Sequence, residues 1–179
     1  MPSTAYVAFD PGLTGAIAMY INDRLFNYSM PICKEVNKNV VDIWEVSELI
    51  TTSHRPKCII ESQNPRPKEG GVSAFTSGRN YGRLETAVYF TDPISVGYVH
   101  PATWYKGLGI KAIYPEDASA YQKKKARKLA VAHYVEAVWG DIMSKQGMSL
   151  YGKQGGLKDG LSDSLAILYW FMKEKGMLK

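Results

Sequence analysis

The 179-residue sequence predicts one α/β domain built on a mixed sheet with helices on its faces. Three apolar strand-like segments joined by short turns come first, and two more apolar strands then alternate with helical patterns. Strands joined by tight turns pair antiparallel, whereas strands separated by helices pair parallel. A chain of this length with 45% hydrophobic residues can bury one large core but not two. We therefore expect residues 1–179 to form a single domain with five strands, three antiparallel and then two parallel.

The first half of the chain supplies four of these strands. Short apolar runs bounded by turn residues indicate each strand, and apolar residues at helical spacing indicate one helix between the third and fourth strands. The expected elements are strands at 5–10, 16–21 and near Leu25–Met30, a helix at 40–52 and a strand at 57–62.

The second half is mainly helical. Proline and glycine make the stretch that follows the fourth strand a loop, and Pro115 is placed to open a helix. Glycine, serine and lysine dominate a later stretch that we expect to be mobile. The expected elements are a loop at 62–72, a helix at about 73–90, a strand at Ile94–His100, a helix from Pro115 to about Trp139, a mobile stretch at 140–158 and a helix at about 159–174.

The composition narrows the class of protein. The 22 Lys and Arg residues exceed the 17 Asp and Glu residues, which gives a net charge of +5 and permits a polyanionic partner. Two cysteines form neither a disulfide framework nor a CxxC zinc pair. No secretory signal is visible, and no apolar stretch reaches the ~18 residues of a membrane span. We expect a cytoplasmic protein with no membrane association.

Four acidic residues stand at the ends of apolar elements. Asp10 ends the first strand, Glu61 ends the fourth, and Asp159 and Asp163 lie one turn apart on one face of the last helix. A charge at a buried strand end is costly unless a cation or hydrogen bonds compensate it. Hard cations such as Mg²⁺ and Mn²⁺ prefer oxygen ligands, and two such ions can hydrolyse a phosphodiester. The acids therefore predict a metal-dependent nuclease, and the chain has no GxSxG or HExxH motif that would indicate another hydrolase.

Each acid also has a purely structural interpretation. Asp10 before Pro-Gly could be a turn residue, and Glu61 could form a surface ion pair. Asp159 could cap the last helix, and Asp163 could complement its dipole. The segment at 10–15, DPGLTG, also resembles the phosphate-binding hairpin of actin-like ATPases and sugar kinases, but those folds need two such domains.

Five segments, taken in order, resemble one family. They are FDPGLTGAIA at 9–18, IESQ at 60–63, GGVSAFTSGRNYGRLETA at 70–87, HPATWYK at 100–106 and KDGLSDSLA at 158–166. Together they resemble the RuvC-like Holliday junction resolvases of the RNase H superfold, and in particular the phage-encoded branch. Two departures stand out: Lys158 replaces a histidine that is frequent in that branch, and Asp159 and Asp163 are spaced i, i+4 where bacterial members have i, i+3.

The resemblance implies an RNase H-like sheet and a Mg²⁺-dependent endonuclease, with Mn²⁺ able to substitute and no small-molecule cofactor. Asp10, Glu61, Asp159 and Asp163 would be both the metal ligands and the catalytic residues. A homodimer would nick opposed strands of a four-way DNA junction during recombination and repair, in the host cytoplasm if the source is a phage. The sequence leaves open a broader flap or fork endonuclease and a junction-binding protein without catalysis.

Several basic residues are candidates for contacts with DNA phosphates. Five of the six residues from Lys123 to Lys128 are cationic and lie on one predicted helix, although such a run could equally be a solvated face. The residues expected to bind DNA are Arg66, Lys68, Arg79, Arg83, Lys106, Lys123, Lys124 and Lys125.

The helix at 73–90 has a smooth stripe of small residues. Ala74, Gly78, Gly82 and Thr86 recur every four residues, which allows close packing either on the sheet or against a partner helix. The resemblance favours the partner helix and a dimer. It also implies an aromatic side chain that opens the junction, for which Phe75 and Tyr81 are candidates.

Overall fold

The computed structural model describes residues 4–52, 55–64 and 70–178. Seven strands and five helices lie in these ranges. The strands are β1 (Tyr6–Asp10), β2 (Ala16–Ile21), β3 (Arg24–Ser29), β4 (Ile32–Glu35), β5 (Lys38–Val41), β6 (Lys57–Glu61) and β7 (Ser95–Val99). The helices are α1 (Ile43–Thr51), α2 (Gly71–Tyr89), α3 (Pro101–Gly107), α4 (Ala120–Lys145) and α5 (Asp159–Glu174).

The main sheet has five strands in the order β3-β2-β1-β6-β7. The first three strands pair antiparallel, and β6 and β7 add to β1 in parallel. This arrangement confirms the predicted α/β fold with three antiparallel strands followed by two parallel ones. Phe9 on β1 is opposite Ile60 on β6, so the residues that follow, Asp10 and Glu61, lie side by side at one edge of the sheet.

Each face of the sheet buries its own hydrophobic core. Alternate residues of β1 point to opposite faces, with Ala8 on one side and Phe9 on the other, and both are fully buried. Helices α4 and α5 cover the Ala8 face, and α1 and α2 cover the Phe9 face. The result is a three-layer arrangement in which α5 packs across β1 and β2.

A small β4–β5 hairpin follows β3 and was not predicted. Its turn residues, Val36 and Asn37, both have positive φ (46° and 68°). That turn conformation is favoured by Asn-Gly, so Val-Asn gives a weak sequence signal. The predicted helix at 40–52 was therefore too long, because residues 40 and 41 belong to β5 and Asp42 caps α1.

The boundaries of α3 and α4 also differ from the prediction. A short helix, α3, follows β7, with His100 as its N-cap and Pro101 in its first turn. The next helix begins after Ser119, which forms a capping box with Gln122, rather than at Pro115. It continues through Lys145, so the first part of the stretch expected to be mobile is helical.

The rest of that stretch is anchored to the core. Leu150 is 2% exposed, and Tyr151 forms a β-bridge with Leu157. The prediction of mobility was wrong here because it rested on the glycine-rich composition, and composition does not reveal these contacts. No helix in the described ranges is both long enough and apolar enough to cross a membrane.

Candidate active site

The acidic residues at the ends of β1, β6 and the start of α5 influence one another electrostatically. Burial raises the pKa of Asp10 well above its usual range, and the negative charges of Asp163, Glu61 and Asp159 raise it further. Because these effects require short separations, the fold has brought together carboxylates from three distant parts of the sequence.

Two backbone contacts hold the elements that carry these acids in place. The Gln63 side chain, just after β6, donates a hydrogen bond to the Pro11 carbonyl at 2.9 Å. In the first turn of α5, a Cβ on Gly160 would lie 2.4 Å from the carbonyl oxygen of Thr14. Only glycine allows α5 to approach the β1–β2 turn so closely, and this approach brings Asp159 and Asp163 toward Asp10.

Gly15 has a related role in the same turn. A Cβ on Gly15 would lie 2.0 Å from the backbone oxygen of Asp10. The backbone of the turn itself therefore requires glycine at this position.

Asp163 and Glu61 are also shifted by their surroundings. Burial, followed by the negative charges of Glu61 and Asp159, raises the pKa of Asp163 to about 7, while the Lys128 ammonium lowers it. Burial also raises the pKa of Glu61, and a hydrogen bond from Trp104 and the nearby His100 oppose this increase. The fully ionised cluster is thus unfavourable without a compensating cation.

A lysine from the neighbouring helix supplies part of this compensation. The Lys128 ammonium on α4 donates a charge-assisted hydrogen bond to Oδ2 of Asp159. Lys158 occupies the N-cap position of α5, and Asp159 is the first residue of the helix. Asp159 is therefore not the N-cap residue, and its side chain instead binds a cation from another helix.

Trp104 positions Glu61 and was not identified from the sequence as a site residue. Its indole Nε1 donates a hydrogen bond to Oε1 of Glu61 at 2.7 Å, and the residue is only 4% exposed. In the sequence, the only signal was a tryptophan shortly after β7. Without the sheet order, which places β7 beside β6, that position does not indicate a contact with Glu61.

The donor set suits a hard divalent cation, but the side chains do not yet surround one point. Carboxylate oxygens are the ligands that Mg²⁺ and Mn²⁺ prefer, and the clustered charge favours a cation. Within the described ranges, no three His, Cys, Asp or Glu side chains are placed to coordinate one ion. Asp159 is bound to Lys128 and Glu61 to Trp104, so coordination would require Asp159 to leave Lys128.

Two cavities flank Glu61. One, of about 690 Å³, lies between α3 and α4 and combines acidic, basic and aromatic side chains. The other, of about 420 Å³, lies toward α2 and has uncharged polar groups such as Gln63 and Asn64. The first is lined by Glu61, His100, Pro101, Ala102, Trp104, Tyr105, Lys106, Arg127, Lys128, Val131 and Asp163.

This chain resembles a solved structure over its whole length. The structure of T. thermophilus RuvC in complex with Holliday junction substrate aligns over 99% of this chain and 99% of that chain, with a TM-score of 0.54 and 16% identity. The fold is RuvC-like.

Weaker structural similarity extends to two further chains. Thermus thermophilus RuvC has a TM-score of 0.49 at 16% identity, covering 98% of this chain and 99% of that one. The yeast mitochondrial Holliday junction resolvase Ydc2 has a TM-score of 0.48 at 12% identity, covering 98% of this chain and 80% of that one. No protein-family model and no curated protein sequence matches the chain.

Within this RuvC-like fold, the cations expected to bind DNA are in different environments. Lys106 lines the larger cavity, and Lys124 and Lys125 are exposed on the first turns of α4. The Lys123 ammonium lies 5.6 Å from the centre of the Tyr114 ring. Arg66 and Lys68 lie outside the described residues.

Arg79 and Arg83 are engaged by the β4–β5 hairpin. Both guanidinium groups form ion pairs with Glu35, at 2.6 Å for Arg83. Arg83 also donates to the Val41 carbonyl at 2.6 Å. In this structure the two arginines join α2 to the hairpin, a role that the sequence pattern did not suggest because the hairpin was missing from the prediction.

The small-residue stripe on α2 faces away from the sheet. A Cβ on Gly78 or Gly82 would meet nothing within 4 Å, whereas Leu84 and Val88 are fully buried against the sheet. The alternative in which the stripe packs on the sheet is therefore wrong. Of the two aromatic candidates, Phe75 is 74% exposed, and Tyr81 lines the smaller cavity.

Proposed function

We propose that this protein is a structure-selective endodeoxyribonuclease that resolves four-way DNA junctions by metal-dependent phosphodiester hydrolysis. The observation that carries the proposal is the electrostatic clustering of Asp10, Glu61, Asp159 and Asp163 beside a cavity lined by Lys106, Arg127 and Lys128. Carboxylates suit metal ions, and the adjacent cations suit the phosphates of a nucleic acid. The RuvC-like fold supports the four-way junction as substrate, because the similar RuvC structure is a complex with one.

The four carboxylates would hold Mg²⁺, or Mn²⁺ in its place. Such ions activate a water molecule and stabilise the charge on the leaving oxygen. The chain's own residues prepare the site: Trp104 orients Glu61 through its 2.7 Å hydrogen bond, and Lys128 balances the charge of Asp159. Gly160 allows the acidic end of α5 to reach the strand ends.

The basic run on α4 supports binding of DNA phosphates. Lys123, Lys124 and Lys125 lie in the first turns of the helix, where the backbone N–H groups already create a positive potential. Placing cations there is unfavourable unless an anion offsets it. A DNA phosphate would do so, and Lys106 would meet the same strand in the cavity.

The other basic residues have weaker support. Arg66 and Lys68 remain predicted contacts. Arg79 and Arg83 would first have to leave Glu35.

A homodimer would place two such sites on opposed strands of a junction. The small-residue stripe of α2 has open space beside Gly78 and Gly82 that permits a partner helix to approach closely, and the exposed Phe75 extends this surface. The sequence resemblance alone supports a role in DNA recombination and repair, a cytoplasmic location and a phage source.

The proposal is tested by comparing cleavage of four-way junction, fork, flap and linear duplex DNA with Mg²⁺, with Mn²⁺ and with EDTA. We expect cleavage of the four-way junction in opposed strands and none in EDTA. Faster cleavage of flaps or forks would show that these, and not the four-way junction, are the substrate. Equal cleavage of linear duplex would contradict structure selectivity. Binding without cleavage would indicate a junction-binding protein.

Asp10→Asn separates cleavage from binding in the same assay. We expect at least a roughly 1000-fold loss of cleavage with junction binding largely retained, because the proposed metal ligand is lost while the cations remain. The exposed Asp141 on α4 offers a matched control, Asp141→Asn, that should leave cleavage unchanged.

A further inference from the structure

The turn of the β4–β5 hairpin carries a valine in an unfavourable backbone conformation. Val36 has a φ of 46°, in the left-handed region that β-branched residues rarely adopt. Its side chain is 95% exposed, so packing within the protein does not offset this conformation. Strained residues of this kind are concentrated at binding and catalytic sites. An apolar side chain held out into solvent at a strained turn indicates contact with another molecule.

Contacts with α2 hold the hairpin in a fixed position. Glu35, next to the turn, forms ion pairs with Arg79 and Arg83, at 2.6 Å for Arg83. Arg83 also donates to the Val41 carbonyl at 2.6 Å, and the buried Asn80 side chain accepts from the Val41 N–H at 2.9 Å. Because both the tip and the base of the hairpin are tied to α2, the hairpin is a preformed arm.

The hairpin leaves the sheet at the edge that carries the acids. Ser29, at the end of β3, is opposite Ala16 on β2, which in turn pairs with Asp10 on β1. The N–H of the next residue, Met30, donates to the Gly15 carbonyl at 2.9 Å. The tip follows seven residues after the end of β3, so it lies within roughly 24 Å of this edge, the length of about seven base pairs. A duplex bound at the acids and extending along α2 is therefore long enough to reach the tip.

The charge of the hairpin favours a polyanion as its partner. Between residues 32 and 41 the sequence has two lysines, Lys34 and Lys38, and one acid, Glu35. Both lysines are exposed, whereas two arginines of α2 balance the charge of Glu35. A second copy of this chain would present the same cations, so a symmetric contact between two hairpins would be repulsive. The phosphates of DNA match this charge.

We propose that the β4–β5 hairpin is a DNA-binding arm in which Lys34 and Lys38 bind backbone phosphates and Val36 packs against base edges in the groove between them. A major groove about 12 Å wide admits a two-stranded β-ribbon, and apolar side chains that reach it contact the bases. That the partner is DNA rests on the proposed nuclease function. Arg79 and Arg83 would stay bound to Glu35 and assist DNA binding by holding the arm.

The variant Val36→Asn separates DNA binding from stability, because it should change them in opposite directions. Asparagine adopts the left-handed conformation more readily than valine, so the melting temperature should rise by about 2–4 °C. Binding of a four-way junction, measured by fluorescence anisotropy with Ca²⁺ to prevent cleavage, should weaken by roughly 3–10-fold as the apolar contact is lost. Val36→Met, which keeps an apolar side chain, should bind like the wild type.

Met177→Asn is the matched control for the loss of an exposed apolar side chain. Met177 is 54% exposed and follows the end of α5 that is opposite to Asp159. This variant should bind the junction like the wild type.

The salt dependence of binding tests the phosphate contacts. In Lys34→Gln, the plot of the logarithm of the association constant against the logarithm of salt concentration should be less steep by about 0.9, the loss of one phosphate contact. Lys173→Gln is the control, because Lys173 is exposed in the last turn of α5, far from Asp159 in the first turn. Its slope should match that of the wild type.

Photocrosslinking tests the contact at the tip directly. With p-benzoylphenylalanine in place of Val36, irradiation of the junction complex in Ca²⁺ should give a covalent adduct to DNA. The same group in place of Met177 should give none.

The outcomes separate this inference from the nuclease proposal. Unchanged junction binding in both Val36→Asn and Lys34→Gln would overturn the inference. Adducts from position 36 to a second protein chain would also overturn it, because the hairpin would then be a subunit contact. If the wild type cleaves junctions but position 36 gives no DNA adduct, the inference alone fails. If position 36 gives the DNA adduct but the wild type cleaves no branched DNA, the nuclease proposal fails and the inference stands.

Discussion

Lys128 on α4 and Asp159 on α5 form an ion pair inside the cluster of acidic residues. The ammonium lies beside a carboxylate that we propose as a metal ligand, and its positive charge also lowers the pKa of Asp10 and Asp163. In the metal-free protein, Lys128 thus supplies part of the positive charge that a divalent cation would bring. If Asp159 is a metal ligand as we propose, Lys128 would compete with the metal for it, and metal binding would have to break this ion pair.

Lys128→Met should tighten Mn²⁺ binding by roughly 3–10-fold, because a positive charge next to the metal is removed and Asp159 is released. The metal-free variant should melt at a lower temperature than the wild type, since the acids lose their cation. Isothermal calorimetry and thermal unfolding in EDTA measure the two effects. Lys124→Met, one turn earlier on the same helix and exposed, should change neither. Weaker Mn²⁺ binding in Lys128→Met would show that Lys128 assists the metal.

Asp163 makes the stability of the metal-free protein depend on pH. Its pKa is about 7 in the folded protein, against about 3.9 in an unfolded chain. Between these values the folded state holds a proton that the unfolded state has lost, so the free energy of unfolding falls as pH rises from about 4 to about 7. The variant Asp163→Asn should not lose this stability as pH rises, because its amide does not ionise.

In EDTA, the melting temperature of Asp163→Asn should exceed that of the wild type by about 4–8 °C above pH 7, equivalent to roughly 2 kcal/mol, and by little at pH 4. Mn²⁺ should stabilise the wild type more than the variant. Asp141→Asn, which changes an exposed acid, should show no such pH-dependent gain. A constant difference at all pH values would contradict the raised pKa.

Gly160 should tolerate no side chain. A Cβ would lie 2.4 Å from the Thr14 carbonyl oxygen, which is backbone and cannot swing away. We expect Gly160→Ala to destabilise the protein by about 1–3 kcal/mol and to weaken Mn²⁺ binding, because α5 must move away from the β1–β2 turn.

The matched control for this substitution is Gly140→Ala in α4. A Cβ on Gly140 would meet nothing within 4 Å, so alanine should stabilise the helix by about 0.5–1 kcal/mol. Chemical denaturation of the two variants gives the comparison, and equal effects would show that the close approach of α5 does not matter.

Trp104 should affect the metal through Glu61. Trp104→Phe keeps most of the ring packing but removes the indole N–H that donates to Glu61 at 2.7 Å. Loss of a hydrogen bond to a metal ligand typically costs 10–100-fold in affinity, so we expect about tenfold weaker Mn²⁺ binding. Trp44→Phe, at a residue that is 78% exposed, is the control and should bind Mn²⁺ like the wild type. Unchanged affinity in Trp104→Phe would exclude a positioning role.

Local patterns in the sequence were sufficient to predict the five strands of the main sheet and to single out four acids at the ends of apolar elements. Short apolar runs ending at turn residues predicted β1, β2, β3, β6 and β7, because strand signals are local and alternate between two faces. The parallel pairing of β1 and β6 places Asp10 and Glu61 side by side, at the ends of two strands that the sequence predicted. The spacing of Asp159 and Asp163 depends only on helix geometry.

Only the tertiary structure decided which side chains surround those acids. Trp104 reaches the cluster from α3 and Lys128 from α4, and their contacts depend on how these helices pack on the sheet. The pairing of Arg83 with Glu35 likewise depends on a hairpin whose turn has no strong local signal. Periodicity predicts what each element is, but contacts between distant elements arise from packing, which no local pattern encodes.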